Sequence, residues 1–321
     1  MDKKKGRQSD ADARGLILTG ILFLLIACFM GIFWGRVKGT NLITFSIRLP
    51  RTIAGIFCGA GLSVAGLLLQ SSLHNSLCSP GIIGINQGAG VFTLLAGLLC
   101  PSLPLVRGLF SFVGALLSVA LVFGITGIAG RQKSTVILAG VAVSSLMSAL
   151  MQGIILFFPE AVVDKISFNL GGLSTISLSQ LYPLMAVSMI CFALVCVFAI
   201  RIEMLTLGDE VATGLGIHAG RTRAQTVVFA GILSGAVISV AGLLGFIGLI
   251  VPNVVRMCHI RNFRMQILLC MLYGGAFLTI CDSGARFLFY PYEVPVGLIM
   301  SVIGAPFFVF LLMRRKRMGH E

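Results

Sequence analysis

The sequence predicts an all-α integral membrane protein with about ten transmembrane helices in two inverted-topology halves. Of its 321 residues, 57% are apolar and 11% are charged, and the mean hydropathy is +1.02. A soluble domain carries roughly 25% charged residues, so this chain cannot cover a surface that faces water. Uncharged runs recur along the whole chain, and one apolar segment of the first half returns in the second.

The predicted helices follow from the uncharged runs, because a backbone that crosses lipid has to pair its polar groups internally. A hydrocarbon core of roughly 30 Å takes about 20 residues of helix. The first run, 16–34, is long enough and shows no signal-peptide cleavage pattern, so we expect it to stay as the first helix. The predicted spans are residues 16–34, 52–72, 84–100, 108–130, 135–158, 180–200, 225–243, 246–257, 266–283 and 295–313.

Residues 224–255 need a special arrangement. Basic loops on the same side at both ends of this run require two crossings within 32 residues. We therefore predict one ordinary helix and one short helix, broken near Gly242–Gly248 and sheltered by neighbouring helices. The chain is then a single transmembrane domain, 16–313, between a basic N-terminus, 1–15, and a basic tail, 314–321.

The distribution of Lys and Arg predicts that both termini are cytoplasmic, because cytoplasmic loops carry an excess of these residues. In this orientation 17 of the 24 basic residues face the cytoplasm. Four of the others lie in one short outer segment, 36–51, against the general trend. The outward-facing basic residues are Arg36, Lys38, Arg48, Arg51, Arg107, Lys165 and Arg286.

The internal repeat joins AGIFCGAGLSVAGLL at 54–68 to AGILSGAVISVAGLL at 230–244. The two segments are identical at 11 of 15 positions, with an offset of 176. They belong to the second and seventh helices, which run in opposite directions because five crossings separate them. Inverted repeats of this kind are typical of transporters, whose path forms between the halves. Gly- and Ala-rich helices also resemble one another through composition alone.

Several function classes find no support in the residues. The segment GIAGRQKS at 127–134 nearly matches a phosphate loop, but Gln132 replaces its second glycine and no strand precedes it. The chain is therefore expected not to hydrolyse ATP itself. The nine Cys show no CxxC and the four His no metal spacing, so no catalytic residue, metal or other cofactor is expected. The net charge of +13 lies in short patches suited to anionic lipid rather than nucleic acid.

The longest charged segment between two cytoplasmic span ends is RIEMLTLGDEVATGLGIHAGRTR, 201–223. Asp209 and Glu210 suit the positive N-terminal end of a short helix. Gly214, Gly216 and Gly220 would then divide the rest into short turns. Such a compact, partly apolar element indicates a docking surface for another protein, and a simple linker is the alternative.

Five segments resemble the FecCD/BtuC-type permeases, the membrane subunits of ABC importers for iron-siderophores, haem and cobalamin. The resemblance extends over essentially the whole chain from the first span. The matching segments are RLPR at 48–51; GA at 59–60 through Gln70, with NSL at 75–77 and SPG at 79–81; LGDE at 207–210 with Ala212, Leu215 and Gly216; GFIGLIVP at 245–252 with Arg256; and Asp282, Arg286, VPVG at 294–297 and GAPFF at 304–308.

The resemblance implies a dimer of permeases, two copies or a copy and a paralogue, in the bacterial cytoplasmic (inner) membrane. It also implies two ABC ATPase subunits, which hold ATP and Mg, and a periplasmic or lipid-anchored substrate-binding protein. It assigns contact with the ATPase to one short stretch within 201–223. Those coupling residues are Leu207, Gly208, Asp209, Glu210, Ala212, Leu215 and Gly216.

Three outer arginines, Arg48, Arg51 and Arg286, are assigned by the resemblance to docking of the binding protein. Charge pairs at such a rim would set docking rate and register. Contact with lipid headgroups is the alternative for Arg48 and Arg51. Asp282 and Arg286 stand i, i+4 on one helix face, and if they pair, Arg286 is less free to dock.

The fifth and tenth helices would line the translocation path, again by resemblance. Ser145, Ser148 and Gln152 share one face of the fifth helix, and Gly297 and Gly304 lie in the tenth. Hydrogen bonding between helices explains the polar stripe almost as well as a path does.

The expected cargo is an iron-siderophore-type chelate, the commonest in this group of permeases, with haem or cobalamin (vitamin B12) as alternatives. The alternative of another class is an ion-coupled secondary transporter, which would use acidic residues near the bilayer midplane. Here Glu160, Asp164, Asp282 and Glu293 all lie near span ends.

Overall fold

The computed structural model describes residues 2–34, 44–130, 132–174, 176, 178–260, 262–288 and 292–318. Within these ranges the secondary structure is helical, with a π-helical turn at Thr44–Arg48 and a 3-10 turn at Pro80–Ile83. Two of the predicted outward-facing basic residues, Arg36 and Lys38, lie outside the described residues. The α-helices are α1 (Asp2–Phe33), α2 (Leu49–Leu73), α3 (Ile85–Leu99), α4 (Pro104–Ala129), α5 (Lys133–Phe157), α6 (Ala161–Leu170), α7 (Leu178–Thr206), α8 (Asp209–Gly214), α9 (Ala219–Ala241), α10 (Ile247–Met257), α11 (Phe263–Leu288) and α12 (Val296–Met318).

The prediction of an all-α membrane protein is confirmed. Seven helices of the described part are long and apolar enough to cross a bilayer: α1, α2 with its preceding turn, α4, α5, α7, α9 and α11. Three shorter apolar helices, α3, α10 and α12, occupy the other predicted spans. The short helices α6 and α8 lie between spans and mark opposite ends of the bundle, which we call the α6 end and the α8 end.

The predicted break after the seventh membrane helix is present. Helix α9 ends at Ala241 and α10 begins at Ile247, and Gly242 and Phe246 both have positive φ, 67° and 66°. The side chain of Gln70 in α2 donates to the carbonyl of Gly248 at 3.0 Å. Pro252 has no N–H to donate to this carbonyl four residues earlier, so Gln70 of a neighbouring helix supplies the missing hydrogen bond inside the membrane.

The core is built around α2, which is the most buried of the long helices. Its glycines allow close helix contacts, as small residues do in membrane proteins. A Cβ on Gly59 would overlap the backbone of Gly274 in α11. A Cβ on Gly66 would overlap the carbonyl oxygen of Gly248 at the start of α10. The helix therefore approaches two neighbours at backbone distance.

The packing of the repeated segments agrees with the inverted-repeat prediction. Near the α8 end, Arg223 at the start of α9 donates to Ser72 at the end of α2, whereas Gly61 faces Val237, near the end of α9. The two helices are therefore antiparallel. Moreover, α2 packs on α11 and α9 packs on α4. These two contacts are equivalent under the repeat, because the second and ninth membrane helices correspond to the seventh and fourth. Gly59 and its counterpart Gly235 both lie in these contacts.

Substituting Gly66 by alanine is expected to destabilise the protein. The added methyl group would have to displace the Gly248 carbonyl, and overpacking of this kind costs typically about 1–3 kcal/mol. The measurement is the midpoint of thermal unfolding in detergent, compared with Gly124→Ala. Because no atom lies within 4 Å of a Cβ at Gly124, that control should unfold like the parent chain. Equal midpoints for both variants would contradict the close contact.

Candidate functional site

The α8 end carries a short helix with an exposed apolar face. Leu207, Val211 and Leu215 stand four residues apart and are 61%, 50% and 54% exposed. Val211 and Leu215 lie one helical turn apart on one face of α8, whereas Leu207 precedes the helix, just before Gly208. We call these three exposed apolar side chains the α8 row. Ala212, on the other face, is fully buried. Glu210 is exposed.

Two glycines delimit this helix. Gly208 before it has φ 113° and Gly216 after it has φ 83°, conformations that favour glycine. Hydrogen bonds from Ala212 to Gly208 and from Ile217 back to Ala212 close the turns at its two ends. The predicted short helix starting at Gly208–Glu210 is therefore present. A tight turn at each end fixes its orientation.

Helix α8 is tied to the bundle by an ion pair. One guanidinium nitrogen of Arg223, Nη2, donates to both carboxylate oxygens of Asp209 at 2.6 and 2.7 Å. Lys133, at the start of α5, lies 3.4 Å from the same carboxylate. Arg223 is only 2% exposed, and its Nε donates to the carbonyl of Ser72 at the end of α2. One arginine thus joins α8 to α9 and α2.

The charges around Asp209 keep it ionised. Burial alone would raise the pKa of Asp209, but the hydrogen bond and charge of Arg223, with the charge of Lys133, lower it overall. A lowered carboxyl pKa contributes stability above the unfolded-state pKa, and this stability is lost as the pH falls through the folded-state pKa. The anchor is therefore complete at neutral pH. Burial and Lys133 lower the pKa of the neighbouring His74, with Asp209 acting in the opposite direction.

Changing Asp209 to asparagine should loosen α8 and lower transport about tenfold, the scale of a lost charge-assisted hydrogen bond. Asp209→Glu keeps the charge and should retain most of the transport. The measurement is the initial uptake rate in proteoliposomes at equal protein content. Equal rates for the two variants would mean that the ion pair with Arg223 does not position the helix.

Two of the three predicted outer arginines, Arg51 and Arg286, pair with Asp282 at the α6 end. Arg51 is buried, and its Nε and Nη2 donate to the two Asp282 oxygens at 2.8 and 2.9 Å. Its Nη1 donates to Glu293 at 3.0 Å. Arg286 forms the anticipated i, i+4 pair with Asp282, at 3.7 Å. The tighter partner of Asp282 is therefore Arg51, from another helix.

Arg48 and Arg286 also bond the end of α1. Arg48 donates to the carbonyl of Ile32 at 3.3 Å, and Arg286 donates to the carbonyl of Gly31 at 2.9 Å. Both carbonyls lie in the last turn of α1, where unpaired carbonyl groups favour cations. The cluster thus fastens α1, α2 and α11 together within one chain. A docking role for these arginines stays a prediction.

The predicted path residues divide into two groups. Ser145 and Gln152 are exposed and Ser148 is half-buried, on a face of α5 that other helices of the chain leave open. Their hydrogen bonds stay within α5: Ser145 donates to Val141 and Gln152 donates to Ser148. Gly297 and Gly304 are buried, the first against Leu170 and the second against Phe246. Their assignment to the path stays a prediction.

Sequence reasoning missed Arg223 and Lys133 as parts of the α8 site. Both had been counted only as cytoplasmic charges. The available signal was that Arg223 is the last charge before a 32-residue uncharged run, where a cation at the membrane edge needs a partner. Asp209 is one of the few internal acids on that side.

The fold and its two charged ends define an integral membrane protein with a short helix anchored at one end. The comparisons with known proteins place it more closely. The chain matches the FecCD transport family over residues 15–314 and belongs to that family.

Two individual relatives are also permeases of import systems. The Fe(3+)-citrate import system permease protein YfmD of Bacillus subtilis (strain 168) is 36% identical over 271 residues, covering 84% of this chain and 81% of YfmD. The vitamin B12 import system permease protein BtuC of Klebsiella pneumoniae (strain ATCC 700721 / MGH 78578) is 34% identical and covers 95% of this chain and 94% of BtuC.

A solved structure described as a metal-chelate type ABC transporter in an inward-facing conformation superposes with a TM-score of 0.85. It is 25% identical, and the match covers 94% of this chain and 99% of that one. PsaBC of Streptococcus pneumoniae, at 18% identity and a TM-score of 0.59, shares the fold.

Proposed function

We propose that this chain is the membrane permease of an ATP-driven importer that carries a ferric chelate of the siderophore or citrate type into the cell. The observation that carries the proposal is α8: an exposed apolar row on a helix whose other side is fixed to the bundle. A row of this kind is suited to a protein partner, because exposed apolar side chains gain most from burial at an interface.

The partner for the α8 row is a separate ABC ATPase, which holds ATP and Mg while this chain binds no cofactor. Leu207, Val211 and Leu215 would insert into the ATPase surface, with Glu210 beside them. Movement of the ATPase would then pass from Asp209 to Arg223 and so into α9 and α2. Because α2 forms the core of the bundle, displacement at α8 is transmitted to both halves.

The assembly would contain two permease chains, two ATPase subunits and a substrate-binding protein. The α8 end would face the cytoplasm with both chain termini, in the bacterial cytoplasmic membrane, in line with the Lys and Arg distribution. The binding protein would dock at the α6 end near Arg48, Arg51 and Arg286, which stand together there. The open face of α5, with Ser145, Ser148 and Gln152, would meet the second permease chain and the path.

The cargo is tested by uptake into proteoliposomes that hold this chain with its ATPase and binding protein. Labelled ferric citrate, a ferric siderophore, haem and cobalamin are offered separately and then in competition. The proposal predicts ATP-dependent uptake of a ferric chelate that excess haem or cobalamin does not inhibit. Uptake of cobalamin alone would instead place the chain functionally with the BtuC relatives.

A further inference from the structure

A polar cavity of about 500 Å³ lies at the α6 end within a single chain. It is lined by residues of α3, α4, α6, α7 and α9 and by Pro295, just before α12. Arg107 of α4 and Asp164 of α6 stand in its wall and form an ion pair at 3.1 Å. Both side chains are about one-third exposed, so the pair is reachable from the cavity. The cavity is separate from Arg51 and from α8.

The cavity holds polar groups that the chain itself does not satisfy. Ser111 lines the cavity and is 2% exposed, and its hydroxyl has no hydrogen-bond partner within the described residues. The Nε of Arg107 also lacks a partner there. A buried hydroxyl or guanidinium N–H left unbonded costs free energy. Both atoms are enclosed in the wall, so the group that a polar ligand can reach is the exposed part of the Arg107 guanidinium beside Asp164.

A second, apolar groove of about 310 Å³ continues from this cavity between α4 and α7, with α9 as its floor. The two share Gly108, Gln180, Ser239 and Val240, so they are contiguous. Along α4 the groove runs from Leu105 to Phe112, about 10 Å at the rise of an α-helix. It begins near the α6 end and leads towards the bilayer interior.

The groove faces the lipid side of the bundle. Leu105 and Leu109 at its edge are 51% and 60% exposed, as expected of side chains that contact acyl chains. A polar cavity at the end of a helix bundle, joined to an apolar groove along the helices, can hold a lipid with its headgroup in the cavity and an acyl chain in the groove. The ion pair of Arg107 and Asp164 indicates which headgroup the cavity would bind.

Arg107 is suited to a phosphate, because a guanidinium matches its oxygens in a bidentate way. Asp164 is suited to a cation that can donate hydrogen bonds. A headgroup with phosphate and a primary ammonium matches both members of the pair, whereas an anionic headgroup offers Arg107 its phosphate but carries no cation for Asp164. A quaternary ammonium carries no N–H to donate to the carboxylate.

We propose that the cavity and the groove form one binding site for a phospholipid with a zwitterionic, primary-amine headgroup, in the leaflet at the α6 end. The phosphate binds Arg107, the ammonium binds Asp164, and one acyl chain lies between α4 and α7. This site is independent of the proposed cargo and of the ATPase.

The test is lipid retention by the full chain, measured by native mass spectrometry after reconstitution in nanodiscs with equal amounts of phosphatidylethanolamine, phosphatidylcholine and phosphatidylglycerol. We expect phosphatidylethanolamine to be retained about tenfold over the other two, the scale of one charge-assisted hydrogen bond. Arg107→Gln and Asp164→Asn should each remove this preference. Lys165→Gln, which neutralises the adjacent residue outside the cavity, should keep it.

A second pair of variants tests the groove. Val187→Trp fills the space between α4 and α7 and should abolish retention of all three lipids at this site. Val197→Trp, on the lipid-facing side of the same helix, should leave retention unchanged. Equal retention of the three lipids, or a preference that survives Arg107→Gln, would overturn the proposal, as would loss of lipid from both tryptophan variants while they remain folded by size-exclusion chromatography.

Discussion

Replacement of Val211 by aspartate is expected to abolish ATP-dependent uptake, lowering its rate on the order of a hundredfold. Val211 is the middle residue of the α8 row, between Leu207 and Leu215. A carboxylate there would be buried against the ATPase without a partner, and a hot-spot residue near the centre of an interface contributes about 2 kcal/mol or more, roughly a thirtyfold change in affinity. Weaker binding of the ATPase and weaker transmission of its movement would both lower the uptake rate.

The matched control for this variant is Thr213→Asp. Thr213 lies on the same helix and is exposed, but it is two residues on and therefore points away from the row. It should retain most of the uptake. Co-purification of the ATPase, measured alongside uptake, separates a lost contact from misfolding. Wild-type ATPase binding and uptake by Val211→Asp would remove the α8 row from the coupling surface.

Removal of Arg51 is expected to destabilise the protein by about 3–5 kcal/mol, the cost of leaving a buried charge without its partner. Arg51 and Asp282 are 6% and 5% exposed, and their contact is bidentate. In Arg51→Met, the Asp282 carboxylate would keep only the longer contact to Arg286. The expected result is a large drop in the thermal-unfolding midpoint and in the yield of folded protein.

A double variant, Arg51→Met with Asp282→Leu, tests the physical reason. A buried ion pair replaced on both sides by apolar residues is often close to neutral, so the double variant should recover more than half of the lost stability. Lys165→Met removes another positive charge at the α6 end and should have little effect. A double variant as unstable as the single one would show that Arg51 acts through Glu293 or packing instead.

The membrane helices could be predicted because lipid leaves few choices for the backbone. Every predicted span has a helix, and the short helix α10 follows the anticipated break at Gly242. Helix ends extend beyond the uncharged runs, as in α7, which continues to Thr206. The reason is that a helix does not end where the hydrocarbon does: it continues until a glycine such as Gly208 stops it.

The charged contacts could be predicted only where they are local. The Asp282–Arg286 pair was visible as i, i+4 on one helix, and it is present. The stronger contact, Arg51 with Asp282, joins residues 231 apart and depends on how α2 packs on α11. The Asp209–Arg223 anchor joins residues 14 apart, one in α8 and the other in α9. Neither contact follows from helical spacing, because both are set by tertiary packing.

The most direct test of the central claim, that this permease is driven by an ATPase acting through α8, is the energy source of uptake. Proteoliposomes holding this chain, its ATPase and its binding protein are loaded with ATP and Mg, or given a proton or sodium gradient without ATP. We predict uptake of labelled ferric chelate with ATP and none with either ion gradient alone. Uptake that follows the ion gradient and ignores ATP would contradict the account and identify an ion-coupled transporter.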